Sequence, residues 1–359
     1  MEGSIQSSPG EEKTVSTGNT NLWLLNVLRG VSALLIVLYH YTVQYDKSIG
    51  HVVPYTFTIP WGCYAVYTFF MLSGFLTVYT CKENTTASSF LKKRFFRLYP
   101  MFWISMAVTT LYMFILMPER VPSLKQFLVN LTMMPSLFGI DAVDGVYWTL
   151  VKELFFYIGF AIILRLGLIK GSKTGWLWGW LGISIFSAIY IYGPIHFPLS
   201  GGVSLFLMPE YIYVFLAGCS VYYFNVSKDL KNKIASLGYM MICIVLCFCI
   251  KSGEIAVFFT VSLGMLIACS QKKLNKWIYP VKRVFTPILI VSEISYVLYL
   301  THQFIGFGII RMMERYGLTV EVGVLLPIAH AIVLAIMLHY GIEVKISREL
   351  KQLTEKNNR

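Results

Sequence analysis

Arg29 and His40 stand eleven residues apart in the apolar stretch LRGVSALLIVLYH. At 100° per residue, that spacing returns to within about 20° of one helix face and separates the two by about 16 Å along the axis. A cation that can hold an anion and an imidazole that can move a proton therefore share a face. The plainer reading of the pair is a snorkelling arginine and a hydrogen-bonded core histidine. Further on, FFMLSGFL sets Ser73 and Gly74 in a strongly apolar run, where another helix or a ligand can come close. FLKKRFFRLYP gathers Lys92, Lys93, Arg94 and Arg97 among aromatics, and Arg94 and Arg97 fall on one helical face. That pattern suits lipid headgroups at an interface, or phosphate oxygens gripped by guanidinium forks. Glu153 in YWTLVKELFFYIGF and His302 in ISYVLYLTH add two more groups able to transfer protons. Lys152 lies about 100° round the helix from Glu153 and reads as a snorkelling or ion-paired side chain.

Composition says what must position these groups. The 359 residues are 56% hydrophobic, 16% aromatic and only 13% charged, with a mean hydropathy of +0.64. Soluble domains are about a quarter charged, so lipid rather than water receives most of these side chains. Disorder, fibrous rods and disulfide-stapled domains are excluded. Most of the seven cysteines lie inside apolar runs, and without a Cys-x-x-Cys pair they suggest no metal site. Apolar runs at roughly 22–44, 61–81, 99–117, 147–168, 175–193, 203–224, 236–250, 254–270, 287–310 and 323–342 predict an all-α, polytopic bundle of about ten transmembrane helices.

The net charge of +12 follows the same topology. One set of connections carries 22 Lys and Arg against 6 in the other, which places both termini in the cytoplasm. Nucleic acid is not an expected partner. Residues 1–20 read as a disordered cytoplasmic tail without a signal peptide, 21–344 as the membrane domain and 345–359 as a cytoplasmic C-terminal tail. In this frame Glu153 lies about 9 Å below the outer boundary, near the depth of His40, and His302 about 12 Å below it. The expectation is an outer layer of three proton-transfer groups above an inner layer of arginines.

The succession LRGVSALLIVLYH, FFMLSGFL, KKRFFRLYP, YWTLVKELFFY and ISYVLYLTH resembles the acyltransferase-3 family of membrane-bound acyltransferases, over essentially residues 22–344. The resemblance implies transfer of an acyl group, usually acetyl, from cytoplasmic acyl-CoA to a hydroxyl of a cell-surface or lipid-linked glycan, in a bacterial plasma membrane. It pairs Arg29 with His40, matches Ser73 and Gly74 to a Ser-Gly motif and Arg94 and Arg97 to a basic pair, and gives Arg29, Ser73, Gly74, Arg94 and Arg97 to donor binding. Glu153 and His302 match polar positions of later motifs, and Trp148 and Tyr299, in the same motifs, are candidate supporting residues. No tightly bound cofactor or metal is implied; acetyl-CoA is a co-substrate. Expected partners are the donor, the acceptor and membrane lipids, with the oligomeric state open. GIEVKISREL departs from the family's Glu-x-Pro, since Val344 and Lys345 follow Glu343. The hydrolase-like domain appended in some relatives is also missing, so a partner of that kind is expected to be a separate protein.

The chemistry expected is attack of an acceptor hydroxyl on the thioester, with His40 as general base and Glu153 orienting its tautomer. A covalent acyl-histidine is the variant of this route. Arg29, Arg94 and Arg97 would hold the anionic coenzyme while its pantetheine arm reaches towards His40. A secondary transporter using the same His, Glu and Arg as a proton relay, and a nonenzymatic glycan-assembly component, are the alternatives from other classes.

Overall fold

The computed structural model describes residues 22–52, 57–171, 174–192, 208, 210–318 and 320–356; the expected tail at 1–20 lies outside them. Every regular element among the described residues is helical. The main helices are α1 (Trp23–Tyr39), α2 (Ala65–Thr80), α3 (Ala87–Leu116), α4 (Trp148–Arg165), α5 (Gly175–Tyr192) and α6 (Ile212–Val226). They continue with α7 (Leu230–Ile250), α8 (Gly253–Cys269), α9 (Thr286–Arg315), α10 (Val320–Leu338) and α11 (Val344–Lys356). Among the described residues seven helical segments are long and apolar enough to cross a membrane, and α5, α6 and α8 fall on the other apolar runs. The chain is an α-helical, multi-pass membrane protein.

The shortest of the apolar helices is the most enclosed. From Ile212 to Val221 every residue of α6 is buried, so its apolar residues on all sides meet protein rather than lipid. Its closest neighbour is α2. Gly74 of α2 faces the carbonyl of Phe215, and Gly218 of α6 faces the carbonyl of Met71; a Cβ at either position would overlap that oxygen. The Cys219 thiol donates to the Gly74 carbonyl at 3.3 Å. Two small residues thus let two backbones touch, as membrane helix crossings require.

Charge separates the two ends of the bundle. Residues 81–85, Gly167, Ile169, Thr174 and residues 226–229 with Asn232 meet at one end, which we call the basic end. There the Asn275 side chain accepts from the Leu24 backbone N–H at 2.9 Å, satisfying a donor at the start of α1, while its own amide donates to the Cys269 carbonyl at 2.7 Å. At the opposite end Arg311 pairs with Glu119, and Arg120 donates to the Ser48 carbonyl at 3.3 Å. His51 contacts both Glu314, at 3.1 Å, and the Tyr41 carbonyl, at 3.2 Å. The Tyr41 contact supports a π-helical turn, His40–Gln44, that follows α1. Such turns insert an extra residue and are frequent where a helix presents a functional side chain.

Candidate active site

Helices α1, α2, α3, α4 and α9 enclose a cavity of about 180 Å³ into which Arg29, Ser73, Arg94, Arg97, Glu153 and Tyr157 all reach. One Glu153 carboxylate oxygen accepts from the Ser73 hydroxyl at 2.7 Å and from the Tyr157 hydroxyl, and these two hydroxyls lie 3.0 Å apart. Arg94 is only 8% exposed. Its guanidinium lies 4.7 Å from the centre of the Tyr157 ring and 5.0 Å from that of Phe90, and donates to the Thr80 hydroxyl at 3.2 Å. Carboxylates of Glu293 and Glu343 also line the cavity. Glu293 is engaged by the Tyr340 hydroxyl at 2.8 Å and Glu343 by His339 at 2.7 Å. Among the described residues no carboxylate comes within ion-pair distance of Arg29, Arg94 or Arg97. The three guanidinium groups thus share the cavity with three carboxylates but pair directly with none of them, which leaves N–H groups open to the oxygens of an anion.

A second pocket, of about 270 Å³, holds His40 together with Tyr39, Gln44, Trp148, Tyr299 and Gln303. Val66 and Tyr299 line both spaces, so these two side chains form the partition between them. His40 Nδ1 lies 2.8 Å from the Ile36 carbonyl, and since a carbonyl only accepts, Nδ1 bears the hydrogen. The same logic applies to His302, whose Nδ1 lies 2.9 Å from the Tyr299 carbonyl and 3.1 Å from that of Leu298. His302 Nε2 then faces His40 Nδ1 at 3.2 Å as an acceptor. In the neutral ring, His40 Nε2 is left with its lone pair, and no described residue hydrogen-bonds to it. The arrangement can take up a proton at a side chain about 16 Å along α1 from Arg29.

Several expectations are rearranged. Glu153 does not share a layer with the two histidines and makes no hydrogen bond to His40; it belongs to the arginine cavity. The expected layer counts residue 147 as the outer boundary, whereas Val146 and Tyr147 are buried within the bundle. The Tyr147 hydroxyl donates to the Leu300 carbonyl at 3.2 Å, inside the bundle. Glu153, a turn and a half further along, lines the same cavity as Arg29, and orientation of His40 falls to a backbone carbonyl and His302. Gly74 does not line the cavity either: its place is the crossing with α6, while its neighbour Ser73 faces inward. Trp148 lies beside His40, and Lys152 places its ammonium 5.9 Å from the centre of the Tyr211 ring. Tyr157 was missed, although its position four residues after Glu153 puts both on one helix face. Gln44, Gln303, Glu293 and Glu343 were missed as site residues and carried no comparable signal.

The sequence can now be set beside known proteins. Acyltransferase MdmB of Streptomyces mycarofaciens is 25% identical over 175 residues, 46% of this chain and 44% of that protein. Nodulation protein 10 of Rhizobium leguminosarum bv. viciae is 26% identical over 131 residues, 31% of this chain and 36% of its own. The alignments thus span less than half the length of either relative. No solved structure matches the chain significantly. The acyltransferase-3 profile, described as an acyltransferase domain, matches residues 22–340 and so takes in every residue lining the two pockets except Glu343. The chain belongs to the acyltransferase-3 family of membrane acyltransferases.

Proposed function

We propose that this protein moves an acyl group, acetyl in the first instance, from acyl-CoA at the basic end to a hydroxyl of a glycan at the opposite end. The basic end is then cytoplasmic, by the excess of Lys and Arg in its connections, and the membrane is a bacterial plasma membrane. In this reading all ten apolar helices belong to the membrane domain, and the acceptor is a cell-surface or lipid-linked sugar. Arg29, Arg94 and Arg97 hold the anionic part of the donor, and the acyl-pantetheine arm passes the Val66–Tyr299 partition. His40 Nε2 takes the proton of the attacking hydroxyl, the thioester carbonyl carbon gains the new bond, and the coenzyme leaves as a thiolate that receives that proton.

The observation that carries this reading is the bare Nε2 of His40, fixed by the Ile36 carbonyl on the other nitrogen. The test is His40→Gln, which nearly conserves shape. The expected result is a folded protein that still binds acetyl-CoA but transfers acetyl at least ~10²-fold more slowly per molecule. A histidine that only packs would show the reverse, reduced thermal stability with near-normal specific activity. Substantial transfer by folded His40→Gln would end the mechanism.

A further inference from the structure

Gln303 follows His302 on α9 and lines the pocket of His40. Its side chain is only 6% exposed, yet no described residue hydrogen-bonds to its amide. The amide is not sealed in the interior: it opens onto the pocket, where its N–H groups are available to the acceptor of a ligand. The backbone makes room for it. A Cβ on Gly145 would come 2.9 Å from the Gln303 amide nitrogen and 3.1 Å from its oxygen, so the absence of a side chain there lets the amide lie flat against the chain.

The other side-chain donors around the pocket are largely engaged. The Tyr39 hydroxyl donates to Gln44 at 3.0 Å, and the Gln44 amide to Ser48 at 3.1 Å. The Tyr299 hydroxyl lies 3.1 Å from the Val146 carbonyl and 2.8 Å from Thr149, and the Cys63 thiol donates to the Pro60 carbonyl at 3.2 Å. His40 Nδ1 is held by Ile36. Among the described side chains this leaves both N–H groups of the Gln303 amide, the second N–H of Gln44 and the Trp148 indole to give, and of these the Gln303 amide directly follows His302 in sequence.

Hydroxyl attack on a thioester turns the carbonyl oxygen into an oxyanion, and in a pocket set within the bundle that charge needs a donor already in place. Resting on the acyl-transfer reading above, we propose that the Gln303 side-chain amide donates to the thioester carbonyl oxygen and stabilises the tetrahedral oxyanion. As the hydroxyl oxygen bonds to the carbonyl carbon, His40 Nε2 takes the hydroxyl proton and the carbonyl electron pair moves to the oxygen facing Gln303. When the carbonyl re-forms, the carbon–sulfur bond breaks, and the CoA thiolate recovers the proton from His40. The neighbouring residues His302 and Gln303 thus serve opposite sides of the reaction, one steadying the base and the other receiving the charge.

The test uses the full-length protein in native membranes containing its acceptor, with [¹⁴C]acetyl-CoA as donor and the variants Gln303→Leu and Gln303→Glu. Both should lower kcat about 10²-fold while KM for acetyl-CoA stays within about twofold. Thermal stability gives the discriminating readout. An amide that is unpaired in the resting protein can be replaced by Leu without loss, so Gln303→Leu should melt no lower than the wild type. A lower melting temperature with normal kcat would mark Gln303 as structural and overturn the proposal. A raised acetyl-CoA KM with unchanged kcat would make it a donor-binding residue and overturn it equally. His40→Gln in parallel separates the two readings. If only His40→Gln is impaired, the Gln303 assignment fails alone; if His40→Gln transfers normally, the base is lost and the Gln303 assignment with it.

Discussion

Arg94 and Arg97 were open to two readings in the sequence, lipid headgroups or phosphate, and their surroundings now weigh on one side. Arg94 is buried between two aromatic rings and tied to Thr80, and Arg97, although exposed, lines the same cavity with Arg29. A headgroup ligand would be expected to face lipid. Arg97→Ala should therefore raise KM for acetyl-CoA about tenfold or more, the worth of a charge-assisted hydrogen bond, and flatten its dependence on salt. Steady-state kinetics at two ionic strengths would check this. A variant that merely accumulates poorly in the membrane, with donor KM unchanged, would return the pair to lipid binding. Residue types were legible in the sequence because charge within an apolar run is rare and conspicuous. Partners were not. Glu153 is as visible as His40, but whether a carboxylate meets an imidazole or two hydroxyls depends on helix depth, which a count from an assumed boundary cannot supply.

At the scale of elements, the apolar runs located the helices well because lipid leaves few other ways to satisfy a backbone. What they concealed was the difference between α6, enclosed by protein, and α7, much of which is not. Hydropathy registers both as apolar. The Gly74–Gly218 crossing explains why FFMLSGFL looked like a ligand site and a packing site at once: Gly74 packs, and Ser73, about 100° round the helix, faces the cavity. The π-helical turn after His40 had no signature in LYHYTVQ. It arises from tertiary contacts, among them the approach of His51 to the Tyr41 carbonyl. The spacing from Arg29 to His40 remained readable because the regular helix runs unbroken up to the turn.

For the whole molecule, the consequential claim is direction. The connections that gather at the basic end and those joined by the Glu119–Arg311 pair occupy opposite ends of the bundle. On a cysteine-depleted background, single cysteines at positions 48–52 should react with an impermeant maleimide from outside intact cells, and those at 84–86 only after permeabilisation. The opposite pattern would invert the proposed orientation and remove the arginine cavity from the compartment that holds acyl-CoA.

The partition formed by Val66 and Tyr299 bears on the electric field. Where water enters from both ends, the membrane potential falls mainly across the thin layer between the two spaces instead of the whole hydrocarbon thickness of about 30 Å. Moving one elementary charge through 100 mV amounts to about 2.3 kcal/mol wherever the drop is concentrated. In the proposed transfer a thioester-borne acetyl is neutral, and the anionic coenzyme need never leave the arginines. The acyl group can therefore traverse the steepest part of the field without electrical work, and turnover in proteoliposomes should be the same with and without an imposed potential. A rate that tracked voltage would mean that charge crosses at this layer. An energised membrane could then acylate its outer surface without drawing on its own potential.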